Sequence, residues 1–328
     1  MDRHELLRSA LGLAAGLALA PRAVLARGRA LQEGETAPLP APKTLPARSL
    51  GASGPAVTML GLGGFHVGGR SAEKEARELV ETAYAEGVRF FDNAESYQDG
   101  QAERWMGGAL EGIRDQVFLM TKTHSPADRS AESARRHLEG SLERLRTDRL
   151  DLWQLHSVQS PEDVDRAFAP GGAMEYILAM KEKGVVKHVG VTGHHDPAAN
   201  ARALEHFDRG MRFDVMQMPL NPVDFLQKSF QKSVLPGLVE RKIGVIAMKT
   251  LASGRILAEG LATVEECLRY VWTLPVSVAV VGMETPEQVR TNAALARAFA
   301  PLSPVEVDAL HARLAPRAAL ALEWYKNG

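Results

Sequence analysis

The sequence of 328 residues contains a single cysteine, Cys267. One thiol cannot form an internal disulfide, and it cannot supply the ligands of an iron–sulfur cluster or a zinc ribbon. Its spacing from Val264 and Val271 is that of one helical face, so we predict a thiol in the core. An internal disulfide, a cysteine-held iron–sulfur cluster and a zinc ribbon are therefore excluded.

An excess of charge of one sign is also missing. The chain has 39 Lys and Arg residues against 40 Asp and Glu residues, and its formal net charge is −1. Without a basic excess, nucleic acid is a poor candidate partner. Long hydrophobic runs are scarce too: the run ALGLAAGLALA at residues 10–20 is shorter than the roughly 20 residues that cross a bilayer as a helix.

The first 26 residues have the three-part layout of an export signal. Arg3, His4 and Arg8 precede the apolar run, and Ala-Val-Leu-Ala at 23–26 supplies small or modest residues for a signal peptidase. The start is similar to a twin-arginine leader, although His4 stands where the second arginine belongs. We expect export to the periplasm with the export machinery as a partner; the alternative is a cytoplasmic protein with a frayed N-terminal helix. Residues 27–47 are interpreted as a linker, because 31–47 are rich in Pro, Ala and polar residues.

After residue 47, strand and helix patterns alternate. Predicted strands lie at residues 57–63, 88–91, 117–120, 150–155, 186–191, 213–218, 243–248 and 276–281. Helical spacing predicts helices at 72–86, 131–146 and 172–183, and caps at Asp196-Pro197 and at Thr263 with Glu266 begin two more.

Eight strand–helix alternations at short spacing predict a parallel sheet of the α/β class. Eight such units close naturally into a (β/α)8 TIM barrel, which we assign to residues 48–328. A doubly wound open sheet is the alternative, and it would need a glycine-rich dinucleotide turn after its first strand. The glycines of that region do not have this spacing; they are Gly61, Gly63, Gly64, Gly68 and Gly69.

Active residues of such a barrel lie at the carboxyl ends of its strands. Asp92 directly follows the second strand, Lys122 comes just after the third, His156 directly follows the fourth, and Tyr97 lies in the same loop as Asp92. Taken singly, three of them have structural interpretations: Asp92 as a helix cap, Lys122 as a solvated charge at the rim, and His156 as a core histidine. Together, on one rim, they indicate a catalytic set.

These residue types suit the reduction of a carbonyl group. Hydride delivery to a carbonyl carbon leaves negative charge on the oxygen, which needs a proton. The Tyr97 hydroxyl has a reference pKa of about 10, and we expect the Lys122 ammonium to lower it. Asp92 would hold Lys122, and a neutral His156 would orient the carbonyl oxygen. This chemistry needs no metal.

The chain resembles the aldo/keto reductase superfamily. The resemblance runs from about residue 48 to 300 and is carried by RSLGASGPAVTMLGLGG (48–64), GVRFFDNAESYQDGQAERWMGGAL (87–110), FLMTK (118–122), TDRLDLWQLH (147–156), GVVKHVGVTGH (184–194), VMQMPLN (215–221), IGVIAMKTLASG (243–254) and VVGMETPEQVRTN (280–292). It implies Tyr97 as proton donor, with Asp92, Lys122 and His156 completing the set. It also implies that residues 48–60 form a hairpin closing the barrel bottom.

The resemblance further implies NADPH as cofactor, with NADH possible, and reduction of a small aldehyde or ketone to an alcohol. Thr192, Gly193 and Gln217 match positions that hold the nicotinamide carboxamide. The family often has Ser-Asn at 192–193, so Gly193 removes one amide. Met248 stands where many members stack an aromatic ring, and a thioether can pack there instead.

The turn after the eighth strand is the expected phosphate site. Thr285 to Gln288 has the pattern of a capping box with Pro at the first turn, and free amides at a helix start suit a phosphate; an ordinary helix cap is the alternative. The resemblance also implies a cation in this turn that grips the 2′-phosphate of NADPH. Glu284 places a carboxylate there instead, so we expect weak preference for NADPH over NADH, with Arg290 on the following helix as a candidate compensating cation; an acid at the helix start that simply points to solvent is the alternative. The candidate cofactor residues here are Gly282, Glu284, Thr285, Gln288 and Asn292.

Two other functions remain open. A metal-dependent hydrolase would use the rim histidines, but no His-x-His pair follows the first strand and no Asp directly follows the eighth. A non-catalytic module that senses the cofactor is the second, and the intact catalytic set argues against it. We assign three histidines to the substrate pocket instead, His66, His124 and His194. No motif sets the oligomeric state or names the carbonyl.

Overall fold

The computed structural model describes residues 43–52, 54–123, 127–317 and 320–327. The predicted export signal at 1–26 and most of the predicted linker lie outside the described residues. Within the described part, no helix is both long and apolar enough to cross a membrane.

Eight parallel strands form a closed barrel, as the alternation predicts. Each strand pairs with the next along the chain, and β10 closes the ring against β3. The barrel strands are β3 (Leu60–Gly63), β4 (Phe90–Asp92), β5 (Phe118–Thr123), β6 (Leu150–Val158), β7 (Val186–Gly193), β8 (Val215–Pro219), β9 (Gly244–Met248) and β10 (Val278–Val281).

A two-stranded antiparallel hairpin precedes the barrel, with β1 at Ala47–Ser49 and β2 at Ala56–Thr58. Leu50 and Val57 of this hairpin pack into the same apolar cluster as Phe90 and other inward-facing strand residues. The hairpin therefore closes one end of the barrel, as the resemblance implies. The bottom layer of the interior comprises Phe90, Met120, Leu152, Val215, Ile246 and Val278.

The prediction of one strand at 57–63 is wrong. The run is divided between β2 and β3, and Met59 between them donates its N–H to Pro46 O at 3.0 Å. A continuous apolar run indicates burial, but it does not indicate the residue at which the chain passes from one sheet to the next.

Helices cover the outside of the barrel. The helices that follow the first four barrel strands are α1 (Gly64–Gly68), α2 (Glu73–Ala85), α3 (Gln101–Ala109), α4 (Ala131–Leu145), α5 (Pro161–Phe168) and α6 (Ala173–Glu182). The remainder are α7 (Pro197–Asp208), α8 (Phe230–Ser233), α9 (Leu235–Glu240), α10 (Arg255–Ala258), α11 (Val264–Thr273), α12 (Pro286–Arg297) and α13 (Pro304–Leu314). Short 3-10 turns lie at Arg114–Gln116, Asp224–Leu226, Ala252–Gly254 and Leu320–Lys326.

The predicted caps are confirmed at two helices. Asp196 accepts a hydrogen bond from Ala198 N at the start of α7. Thr263 and Glu266 form a complete capping box at α11. Cys267 on α11 is buried, as predicted, and burial raises the pKa of its thiol to about 12. Such a thiol stays protonated near neutral pH and has a structural role.

Candidate active site

A buried ion pair lies where β4 and β5 end. Lys122 Nζ is 2.6 Å from Asp92 Oδ1, and it also donates to Asn93 O at 2.7 Å. Lys122 and Asp92 are 1% and 3% exposed, so water barely screens their attraction. Parallel pairing of β4 with β5 brings the two residues to the same rim, because their strands end there.

Tyr97 approaches this pair from the loop after β4. Its hydroxyl lies 3.5 Å from Lys122 Nζ. A tight turn, in which Tyr97 N donates to Ala94 O at 3.1 Å, carries the residue back over the barrel. Gln98 and Asp99 follow with positive φ angles of 46° and 51°, a conformation uncommon for residues with a side chain. The structure therefore unites Asp92, Tyr97 and Lys122.

Lys122 lowers the pKa of Tyr97, as expected, but burial outweighs it. Burial raises the pKa of Tyr97, and Asp92 adds to this rise, so the net shift is upward. Burial lowers the pKa of Lys122, but Asp92 and Tyr97 more than reverse this, so the net shift is upward. The site thus holds a charged lysine beside a protonated phenol.

His156 completes this group from the end of β6. Its ring lies edge-on to Tyr97, with 6.0 Å between ring centroids and 79° between planes. Its backbone carbonyl accepts from Arg129 Nη1 at 2.9 Å, and Arg129 pairs with buried Asp163 at 2.7 Å. The next residue, Ser157, has a φ of 53° at the point where β6 shifts register against β7. A buried ion pair therefore fixes the backbone that presents the imidazole.

Gln217 connects this buried group to the neighbouring strands. Its Nε2 donates to Asp92 Oδ1 at 3.3 Å, and its Oε1 accepts from Gln154 Nε2 at 2.9 Å. Thr192 Oγ1 accepts from Ser157 N at 3.0 Å. Both predicted cofactor residues are fully or almost fully buried at the same rim. Met248 ends the neighbouring strand β9, and Gly193 ends β7.

The turn after β10 meets α1. A side chain at Gly282 would overlap the ring of His66, so the glycine makes room for that imidazole. Burial lowers the pKa of His66, while Glu284 raises it. Glu284 Oε1 is 3.7 Å from Arg70 Nη2 and 3.9 Å from His66 Nε2. The structure places His66 beside predicted cofactor residues and gives Glu284 two nearby basic groups.

The predicted capping box at α12 is incomplete. Thr285 accepts from Gln288 N as expected, but Gln288 Oε1 accepts from Glu284 N at 2.6 Å instead of returning to Thr285. The side chain thus tightens the turn before the helix. Asn292 is buried one turn further along α12.

His194 lies beside the C-terminal segment, residues 320–327, with its ring centroid 6.4 Å from that of Tyr325. His124 lies outside the described residues. No group of three or more His, Cys, Asp or Glu side chains in the described ranges is arranged to hold a metal ion.

Sequence reasoning missed two elements of this rim. Lys249 follows Met248 with a φ of 54°, and its ammonium lies 5.9 and 5.7 Å from the rings of Trp324 and Tyr325. Burial, and then Lys122, lower its pKa. Its position directly after a predicted strand was the available signal. The C-terminal segment gave no such signal, because its sequence lacks a periodic pattern.

The C-terminal segment is anchored by a buried ionic cluster. Lys326 Nζ is 2.7 Å from both Asp224 Oδ1 and Glu323 Oε2, and Lys326 is completely buried. Asn221 Nδ2 donates to Glu323 Oε1 at 2.9 Å and to the Tyr325 hydroxyl at 3.0 Å. Asn221 and Asp224 follow β8, so this cluster ties the C-terminal segment to the rim that holds Asp92 and Lys122.

Comparison with known proteins identifies the family. The sequence profile of the aldo/keto reductase family matches residues 59–263, which is more than half of the chain. The chain belongs to the aldo/keto reductase family. The matched range contains Asp92, Tyr97, Lys122 and His156.

Curated aldo/keto reductase relatives are distant in sequence. The chain is 28% identical to the uncharacterised oxidoreductase YrpG of Bacillus subtilis over 65% of this chain and 68% of that protein. It is 29% identical to the methylglyoxal reductase YeaE of Escherichia coli over 62% of this chain and 67% of that protein.

Solved aldo/keto reductases share the fold. The holo form of an enzyme from Bacillus halodurans superposes with a TM-score of 0.70 at 22% identity, covering 82% of this chain and 96% of that one. An aldo/keto reductase from Klebsiella pneumoniae in complex with NADP and acetate superposes with a TM-score of 0.66 at 25% identity, covering 85% and 97%.

Proposed function

We propose that this aldo/keto reductase reduces an aldehyde or ketone to an alcohol with a reduced nicotinamide dinucleotide, and that Tyr97 is the general acid. The observation that carries the proposal is the contact of Lys122 Nζ with both Asp92, at 2.6 Å, and the Tyr97 hydroxyl, at 3.5 Å. The alternative of a cofactor sensor has no need for such a charged, buried pair beside a phenol.

The rim suits a dinucleotide. Lys249 lies at this rim with its ammonium near the Trp324 and Tyr325 rings, and we assign it to a phosphate of the dinucleotide. The start of α12 adds backbone amides that favour an anion. We assign the nicotinamide end to Thr192, Gln217 and Met248, and the adenosine end to the Gly282–Gln288 turn. NADPH is the proposed cofactor, in keeping with the NADP held by the Klebsiella relative, and NADH is a weaker alternative.

The cofactor supplies the hydride that adds to the carbonyl carbon. The Tyr97 hydroxyl donates its proton to the carbonyl oxygen, so the product is a neutral alcohol. Lys122 stabilises the phenolate left behind, and Asp92 holds Lys122 in place. His156 orients the carbonyl oxygen by hydrogen bonding. Burial of this group strengthens each electrostatic interaction that the proton transfer needs.

A panel of small aldehydes, ketones and dicarbonyls, methylglyoxal included, tests this function. We expect NADPH oxidation that depends on the carbonyl, measured by loss of nicotinamide absorbance. Binding of NADPH without turnover of any compound would favour the sensing module. Failure to bind either NADPH or NADH would overturn the proposed function entirely.

We also propose that the protein is exported to the periplasm after folding, with cofactor bound. The layout of residues 1–26 supports export. Because a dinucleotide enzyme finds no ready cofactor supply outside the cytoplasm, we expect the cofactor to bind before export. Cell fractionation should show a shortened periplasmic form. Detection of the full-length protein in the cytoplasm alone would contradict export.

A further inference from the structure

The space beside Gly193 is filled by a polar group from a helix. Gly193 ends β7, and a side chain at this position would overlap Oδ1 of Asn200. Its Cβ would also lie 2.9 Å from Val158 Cγ2. Asn200 lies in the first turns of α7, immediately after the strand. The Asn200 amide therefore occupies the place that a side chain of residue 193 would take.

This amide has unused hydrogen-bonding capacity. Asn200 is completely buried, and neither its Oδ1 nor its Nδ2 has a hydrogen-bond partner among the described residues. A buried amide without a partner is unfavourable, because it loses its bonds to water and gains none. Its neighbours on the buried face of α7, Ala199 and Ala203, are apolar. An apolar residue would suit position 200 better unless the amide serves a ligand.

Two of the proposed nicotinamide residues already have partners. Thr192 Oγ1 accepts from Ser157 N, and the Gln217 amide bonds to Gln154 and to Asp92. Among the buried side chains that lack a partner in the described residues, Asn200 is the one whose amide offers both a donor and an acceptor beside Gly193. A primary carboxamide offers one acceptor oxygen and one donor NH2 group, which an asparagine amide can match.

We propose that Asn200 binds the carboxamide of the nicotinamide ring, and so supplies from α7 the amide that Gly193 lacks. This assignment rests on the proposed function and makes Asn200 a cofactor-positioning residue. It also explains why position 193 must be glycine, since any side chain there would displace the amide.

The test compares two ligands on the full chain. NADPH carries the carboxamide, whereas 2′,5′-ADP carries the adenosine phosphates without the nicotinamide. We expect Asn200→Ala to weaken NADPH binding about tenfold, which is about 1.4 kcal/mol, and to leave 2′,5′-ADP binding unchanged. Calorimetric titration measures both dissociation constants without reference to turnover.

Two further variants separate recognition from folding. Asn200→Leu fills the same space without a polar group, so it should melt at or above the wild-type temperature while losing NADPH affinity. Gly193→Asn in the Asn200→Ala background restores an amide from the strand and should recover part of the affinity.

Equal loss of both ligands, or unchanged NADPH affinity in folded Asn200→Ala and Asn200→Leu, would overturn the assignment. If the wild-type protein binds 2′,5′-ADP but not the reduced dinucleotides, or binds none of them, the proposed function itself fails, and this result is visible before any variant is made.

Discussion

The two ends of the proposed cofactor site are built from ion pairs of very different kinds. At the proton-transfer end, Lys122 and Asp92 are almost fully buried and 2.6 Å apart. At the adenosine end, Arg70 and Glu284 are 3.7 Å apart, and the Glu284 side chain is 53% exposed. Strand register fixes the first pair, whereas water screens the second. The proposed function therefore assigns proton transfer to a buried pair, where substitutions are costly, and cofactor choice to an exposed pair, where substitutions are mild.

The largest effect should follow Tyr97→Phe, which removes the acidic hydroxyl and keeps the ring. We expect carbonyl reduction to fall about 100- to 10,000-fold, with NADPH affinity and melting temperature nearly unchanged. Single-turnover measurements with the best carbonyl of the panel provide the readout. Turnover close to wild type would remove Tyr97 from the role of acid.

Lys122→Met should act on stability as well as on rate. It leaves Asp92 buried without its cation, which costs about 3–5 kcal/mol of unfolding free energy. Urea unfolding measures this loss. The double variant Asp92→Asn with Lys122→Met removes both charges and should regain part of it. A double variant as unstable as the single one would show that packing, not charge, holds this end together.

The pH dependence of kcat/KM tests the buried end of the proposed site. Reduction needs the protonated phenol, and burial raises the pKa of Tyr97, so kcat/KM should stay level through neutral pH and fall only in a strongly alkaline range, above where an ordinary tyrosine titrates. Lys122 opposes that upward shift, so the limb should move to still higher pH in a folded Lys122→Met variant. An alkaline limb near neutral pH in the wild-type enzyme would contradict this account.

The smallest effect is expected at the adenosine end. The wild-type enzyme should prefer NADPH to NADH less than about a hundredfold, and Glu284→Gln should raise that preference about two- to fivefold by removing a screened negative charge. Glu240→Gln, at the exposed end of α9, is the control and should leave the ratio unchanged. Identical ratios in both variants would show that Glu284 has no part in cofactor choice.

Much of this architecture can be predicted from the sequence, because barrel strands are strong apolar runs and the predicted catalytic residues lie at their carboxyl ends. Asp92, Lys122 and His156 are found in this way. The three residues were expected just after the strands, but the structure includes them in the last residues of β4, β5 and β6. The passage from β2 to β3 at Met59 could not be predicted, since the run is apolar throughout.

Properties that depend on packing could not be predicted from the sequence either. The net pKa shift of Tyr97 reflects burial that no local pattern reports. Asn200 reads as an ordinary helical residue until its amide is seen beside Gly193. Contacts between segments distant in the chain decide both cases.

The position of Lys326 has a consequence for the order of folding. Its ammonium is enclosed between Asp224 and Glu323. Lys326 and Asp224 are 102 residues apart in the sequence, and the barrel strands β9 and β10 lie between them. A contact of such long range closes a large loop, which costs conformational entropy until the intervening strands have paired. The rim therefore gains its C-terminal wall late in folding, after the barrel has closed.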